Sequence, residues 1–99
     1  MNKVETPFQT LAALSRSVIN DLKVKFTSHE FIELLFKNHQ REFIEALYEH
    51  RDGPAPMRQV TSQLSRQLHN QKSLECIGRK ISSANIFSED SECAVWRKR

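Results

Sequence analysis

Apolar residues recur every three to four positions near the start of the chain, which predicts an amphipathic helix. The apolar stripe consists of Phe8, Leu11, Leu14, Val18, Ile19 and Leu22. The segment Thr6-Pro7-Phe8-Gln9 has the form of a capping box, with Thr6 as N-cap and proline at the first helical position. We therefore expect a helix over residues 6–23, and then a short extended segment where Lys23 to Phe26 alternate polar and apolar.

A second capping box, Thr27-Ser28-His29-Glu30, predicts a helix from Ser28 to about Lys37. A third helix is predicted from about His39 to His50, with Phe43, Ile44, Leu47 and Tyr48 as its apolar residues. If these two segments formed one continuous helix, their apolar sets would point about 120° apart. A break near Asn38 is therefore expected.

The segment from Arg51 to Pro56 contains one glycine and two prolines, which predicts the end of a helix and a turn. A fourth helix is predicted from about Pro56 to Asn70. Its apolar side carries Met57, Val60, Leu64 and Leu68, and its polar side carries Arg58, Gln59, Ser62, Ser65, Arg66, His69 and Asn70. This helix is expected to bury one side and expose the other.

Beyond Lys72 the pattern becomes typical of strands, with short apolar groups separated by polar clusters. We expect a two-stranded antiparallel hairpin that turns at Ser88 to Ser91 and packs its inner face on the helices. Ile86 would then lie opposite Cys93, and Ala84 opposite Val95. This register separates Cys76 from Cys93, so both cysteines are expected to be reduced, buried packing residues.

Length and composition indicate one small domain over residues 1–99, since 99 residues support a single core. The fold class expected is α+β and mostly helical. No apolar run reaches the roughly 18 residues that a membrane-spanning helix needs, so no membrane association is expected. The N-terminus lacks the layout of a signal peptide, and we expect a cytoplasmic protein.

Charge is distributed unevenly although the net charge is only +3. Residues 28–52 contain six acids and three bases, whereas residues 53–82 contain one acid and five bases. Between Gly53 and Leu74 there is no aspartate or glutamate. An acid-free helix face with arginine and amides is typical of proteins that read DNA, because arginine binds guanine edges, amides bind adenine, and carboxylates would be repelled by phosphates.

From Ser28 onward, the order of helices followed by a hairpin resembles the winged-helix family of helix-turn-helix domains. The resemblance covers roughly residues 26–97, a three-helix core and C-terminal hairpin, with the helix over 6–23 as an addition. It depends on element order alone, and this chain has a longer turn before its polar helix and an acidic hairpin tip. It implies that double-stranded DNA binds along the polar helix, the strands and the basic C-terminus, through Arg58, Gln59, Ser62, Arg66, Asn70, Arg79, Lys80, Arg97 and Lys98, with Arg99 as a further backbone contact.

The sequence leaves alternatives to DNA binding open. The polar helix face is equally compatible with simple solvation, and a domain of this fold also serves as a protein-interaction module through its acidic third helix or its first helix. The first helix either completes the core or forms a homodimer. Enzymatic activity, cofactors and metals are not expected, because the four histidines are scattered singly and no glycine-rich phosphate loop is present.

Overall fold

The structure, a computed structural model, describes residues 6–84 and 90–99, without the side chains of residues 79, 80, 84 and 90. Its elements in chain order are α1 (Pro7–Asp21), β1 (Lys25–Thr27), α2 (Ser28–Asn38), α3 (Gln40–Glu49), α4 (Pro56–Gln67), a 3-10 turn (Leu68–Asn70), β2 (Leu74–Ala84) and β3 (Asp90–Lys98). The prediction of an α+β, mostly helical protein is confirmed.

Both predicted capping boxes are formed. The Gln9 amide N–H donates to Thr6 Oγ1 at 3.1 Å, and the Thr6 N–H donates to Gln9 Oε1 at 2.9 Å. The same reciprocal pair joins Thr27 and Glu30 at 3.1 and 2.9 Å. Each box satisfies two backbone donors that a helix N-terminus otherwise leaves without partners. Thr27 both ends β1 and caps α2, so the strand passes directly into the helix.

The predicted break between the second and third helices is confirmed at His39. This residue has φ −134° and ψ 53°, outside the helical region, and it separates α2 from α3. The change of direction allows Phe31 on α2 and Phe43 on α3 to be buried together. A continuous helix would have turned one of the two apolar sets toward solvent.

The core receives side chains from all four helices and from the sheet. Leu11 and Val18 bring α1 into this core, where the helix packs mainly on α3. The first helix therefore completes the core formed by the helices that follow it. The buried apolar residues are Leu11, Val18, Ile19, Phe26, Phe31, Ile32, Leu35, Phe43, Ala46, Val60, Leu64, Leu68, Leu74 and Trp96.

The sheet has three antiparallel strands in the order β1-β3-β2, so the segment after α1 adds a strand to the predicted hairpin. On the central strand, Trp96 lies opposite Phe26 on one side and Cys76 on the other. Trp96 is buried, and its indole N–H donates to the hydroxyl of the buried Ser28 at 3.0 Å. This hydrogen bond joins the sheet to the start of α2 and makes Trp96 a core anchor.

The predicted hairpin register is wrong. Cys93 pairs with Ile81, and Val95 pairs with Gly78. Ala84, expected opposite Val95, instead pairs with Asp90. The offset is already present at Ala84, beside the turn, where the observed partner differs from the predicted one by five residues. Two irregularities in β2, between Cys76 and Gly78 and between Gly78 and Ile81, change the register further along the strands, because such bulges place extra residues on one strand.

The predicted turn also needs correction, because Asp90 and Ser91 belong to β3. Ile86 and the first two residues of that predicted turn lie outside the described residues. Both cysteines are free, as expected, but they are half-buried instead of buried.

Candidate nucleic-acid interface

The outer face of α4 is the side of the helix opposite its buried apolar residues. Val60, Leu64 and Leu68 are buried, and they hold α4 and the following 3-10 turn on the core. Arg58 and Arg66 are exposed on the other side, eight residues apart and therefore about 12 Å along the helix axis. The polar and apolar sides predicted from the sequence are confirmed.

The two arginines of α4 are available to a ligand. Within residues 6–84 and 90–99, neither Arg58 nor Arg66 has an ion-pair partner, since the described salt bridges involve other residues. Residues Pro56–Gln67 contain no acid that could neutralise them locally. Two unpaired guanidinium groups on one face can bind phosphates or guanine edges without first breaking an internal ion pair.

The other predicted residues of this face differ in how freely they project. Gln59 is half-buried, and its side-chain amide lies against the turn, since a Cβ added to Gly53 would approach Gln59 Oε1 to 2.6 Å. Ser62 is half-buried between the two arginines in sequence. Asn70 is exposed, but it lies in the 3-10 turn after α4. Gln59 therefore packs on the turn instead of extending fully into solvent.

The C-terminal cations are engaged within the chain. Arg97 Nη2 donates to Glu75 Oε2 across the sheet at 2.9 Å. Lys98 Nζ donates to the carbonyl oxygen of Leu22 at 2.6 Å, at the C-terminus of α1. Arg99 Nε donates to the carbonyl oxygen of Leu74 at 3.1 Å. Arg97 and Lys98 were both predicted to bind DNA, but their charged groups already have partners within the chain. In this they differ from the unpaired arginines of α4.

The electrostatic effect of the Arg97 pair appears on its acidic partner. The hydrogen bond and positive charge of Arg97 lower the pKa of Glu75 below its ordinary value of 4.5. Glu75 is the single acid of residues 53–82. Its carboxylate is paired with Arg97 and not with an arginine of α4. The remaining predicted residues, Arg79 and Lys80, lie on β2 with their side chains outside the description.

An exposed apolar pair on α3 was not identified from the sequence. The predicted apolar set of this helix divides, because Phe43 is buried while Ile44 and Tyr48 are 57% and 64% exposed. The Arg51 guanidinium lies 4.2 Å from the centre of the Tyr48 ring. The residue that could have indicated this exposure is Ala46, three positions after Phe43. Because Phe43 and Ala46 are both buried, the inward side of α3 lies between them and excludes Ile44.

Comparison with models of known protein families, with curated proteins and with solved structures finds no match to this chain. Among the described residues, none of the helices combines the length and apolar character needed to cross a membrane. The same residues bring together no group of three or more His, Cys, Asp or Glu side chains suited to a metal ion. Function is therefore inferred from the surface itself.

Proposed function

We propose that this protein binds double-stranded DNA through the outer face of α4, as a winged-helix-like regulator of transcription. The observation that supports this most directly is the acid-free exposed face with two arginines, Arg58 and Arg66, that lack internal ion pairs. The element order supports it further, because α3, a turn and α4 precede a sheet in which β1 pairs with β3. That arrangement resembles the winged-helix family.

The mechanism combines phosphate attraction with limited base recognition. Arg58 and Arg66 neutralise phosphates or chelate guanine, and Ser62 and Asn70 supply shorter polar contacts along the same side. Gln59 joins them only when its side chain leaves its position against Gly53. Lys98 lies outside this interface, because its ammonium group donates to the carbonyl oxygen of Leu22 at the end of α1.

The experiment is fluorescence anisotropy of a labelled random duplex titrated with the protein at about 50 mM and about 200 mM salt. Micromolar affinity that weakens by an order of magnitude or more at the higher salt is expected, because counterions released from phosphates oppose binding as salt rises. Specific sites would then be selected from a random library.

The matched control separates the α4 face from net charge. Arg58→Ala with Arg66→Ala is compared with Arg16→Ala and Lys37→Ala, which remove two exposed cations from α1 and α2. The α4 variant should lose most of the affinity, and the control should retain it. Equal losses in both variants, or no binding by the parent protein at about 50 mM salt, would contradict the proposal.

A protein-docking role is the second candidate, and the exposed Ile44 and Tyr48 on α3 favour it. Ile44→Asp should abolish docking and leave the α4 arginines in place. The variant with Arg58→Ala and Arg66→Ala should lose DNA affinity and retain docking. A cytoplasmic location is part of both proposals, since Cys76 and Cys93 are free thiols and such thiols persist in a reducing compartment.

A further inference from the structure

Gln59 projects from the outer side of α4, although its side chain is half-buried. At about 100° per residue, a position seven residues away lies within about 20° of the same direction, so Gln59 projects alongside the exposed Arg66. Leu64, on the buried side, projects about 140° away. Helix geometry therefore places Gln59 on the same face as the unpaired arginines.

The turn before α4 covers the amide group of Gln59. A Cβ built on Gly53 would lie 2.6 Å from Gln59 Oε1 and 3.0 Å from Gln59 Nε2, so the amide packs over the glycine where a side chain would otherwise lie. The Gly53 N–H donates to the carbonyl oxygen of His50 at 3.0 Å, which joins this turn to the end of α3. Glycine at position 53 therefore makes room for the amide.

The amide is packed at this position without a hydrogen bond. Among residues 6–84 and 90–99, the Gln59 side chain has no hydrogen-bond partner. Leaving the turn therefore costs Gln59 packing contacts but no hydrogen bond within the described chain. A glutamine amide with both its donor and its acceptor unused can bind the N7 and N6 atoms of adenine together.

We infer that Gln59 is the base-reading residue of the α4 face and that Gly53 determines how readily it reaches the DNA. This role rests on the DNA binding proposed above. With the amide over Gly53, Arg58 and Arg66 bind the phosphates of any duplex. When the amide swings out, it binds an adenine edge in the major groove, about 10 Å from Arg66 along the helix axis. Sequence-independent binding and base reading thus correspond to two positions of one side chain.

The first test compares site preference in variants of the glutamine. Duplexes are selected from a random library with the parent protein, and anisotropy then compares a selected duplex with one in which the preferred A·T pair is replaced by G·C. The parent should prefer the adenine about fivefold, because a bidentate contact distinguishes bases. Gln59→Ala should lose this preference and keep its salt-dependent affinity for the G·C duplex. Gln63→Ala, which removes a half-buried amide one turn later on α4, is the matched control and should keep the preference.

The second test releases the amide from the turn. The φ angle of Gly53 lies outside the left-handed region, so alanine is compatible with its backbone, but the new methyl group meets the Gln59 amide. Gly53→Ala should therefore move the amide into solvent and raise the preference for adenine about threefold, since less contact is lost on binding. Gly53→Ala combined with Gln59→Ala should show no preference. Circular dichroism checks that each variant is folded, and the Gln59 variants test the base contact without any change in the turn.

The outcomes separate this role from DNA binding as such. Salt-dependent binding with equal site preference in the parent and in Gln59→Ala would overturn the role of Gln59 and leave the DNA proposal standing. A preference that is unchanged or lowered in folded Gly53→Ala, or that persists in the double variant, would overturn the role of Gly53. Absence of binding by the parent at about 50 mM salt would contradict the DNA proposal, and base reading by Gln59 with it.

Discussion

The outer face of α4 and the C-terminal end of β3 are equally basic in sequence but differ in what their cations do. Arg58 and Arg66 on α4 have no ion-pair partner among the described residues. Arg97 is paired with Glu75, and Lys98 is bound to the carbonyl at the end of α1. The comparison shows that counting cations along a sequence does not identify those available to a ligand.

The difference follows from where the two elements lie. The central strand β3 ends beside the start of β2 and the end of α1. There the Glu75 carboxylate and the carbonyl oxygens of Leu22 and Leu74 accept hydrogen bonds from the C-terminal cations. The outer side of α4 faces away from the core, and the helix itself contains no acid. Cations near the ends of packed elements are therefore used internally, whereas those opposite a buried stripe remain free.

The largest expected effect comes from the inner side of α4. Leu64 is buried, so Leu64→Ala should lower the free energy of unfolding by about 2–5 kcal/mol through lost transfer energy and a cavity. Urea denaturation followed by circular dichroism measures this change. Ser62→Ala, on the other side of α4, serves as the control and should change stability by less than about 0.5 kcal/mol. Similar losses would show that both sides of the helix are packed.

The next effect tests the comparison directly through DNA binding. Arg66→Ala should weaken binding to a duplex about tenfold and make the salt dependence shallower, because one unpaired phosphate-binding cation is lost. Arg97→Ala removes the same charge from a cation already paired with Glu75 and should change affinity less than about twofold. Anisotropy at two salt concentrations measures both. A larger loss for Arg97→Ala would reverse the assignment of free and engaged cations.

A smaller effect concerns the role of Lys98 in the fold. Lys98→Met keeps most of the aliphatic stem but removes the donor to Leu22 and the positive charge at the C-terminus of α1. A loss of about 1 kcal/mol in unfolding free energy is expected. Lys72→Met, at an exposed turn position, should be neutral. If Lys98→Met instead weakened DNA binding without changing stability, Lys98 would belong to the interface.

The smallest effect is the pH dependence of the pair between Glu75 and Arg97. Because the pKa of Glu75 is lowered in the folded chain, its stabilisation is fully present above the ordinary value of 4.5. It is lost as the pH falls through the lowered pKa. Melting temperatures of the parent and Glu75→Gln should thus differ slightly at neutral pH and converge in acid, and a difference that grew in acid would contradict this sign.

Local signals predicted most of the helical part of the fold. The capping boxes at Thr6 and Thr27 determine where α1 and α2 begin, because side chain and backbone within four residues satisfy each other. Pro56 and the preceding turn determine where α4 begins. The hairpin register was not predictable in the same way, because the pairing of β2 with β3, including the bulges of β2, depends on contacts between the strands and not on alternation within one strand.

The candidate site was predicted only in part. Arg58 and Arg66 were identified correctly as exposed, because the opposite side of α4 carries a regular apolar stripe. Gln59 has a contact with Gly53 that its position in the sequence does not indicate. The exposure of Ile44 and Tyr48 was missed, since the prediction placed both residues on the apolar side of α3 and left out Ala46, whose burial shows where the inward side lies.

The sequence by itself determined where the four helices lie, which side of α4 is polar, and that this side lacks acids. These properties come from spacing, capping and composition within single elements, so they need no knowledge of the neighbours. Only the tertiary structure decided the pairing of Arg97 with Glu75, the binding of Lys98 to the end of α1, and the exposure of Ile44 and Tyr48 on α3. Each of these depends on which elements meet in space, and residues as far apart as Leu22 and Lys98 meet only after the chain has folded.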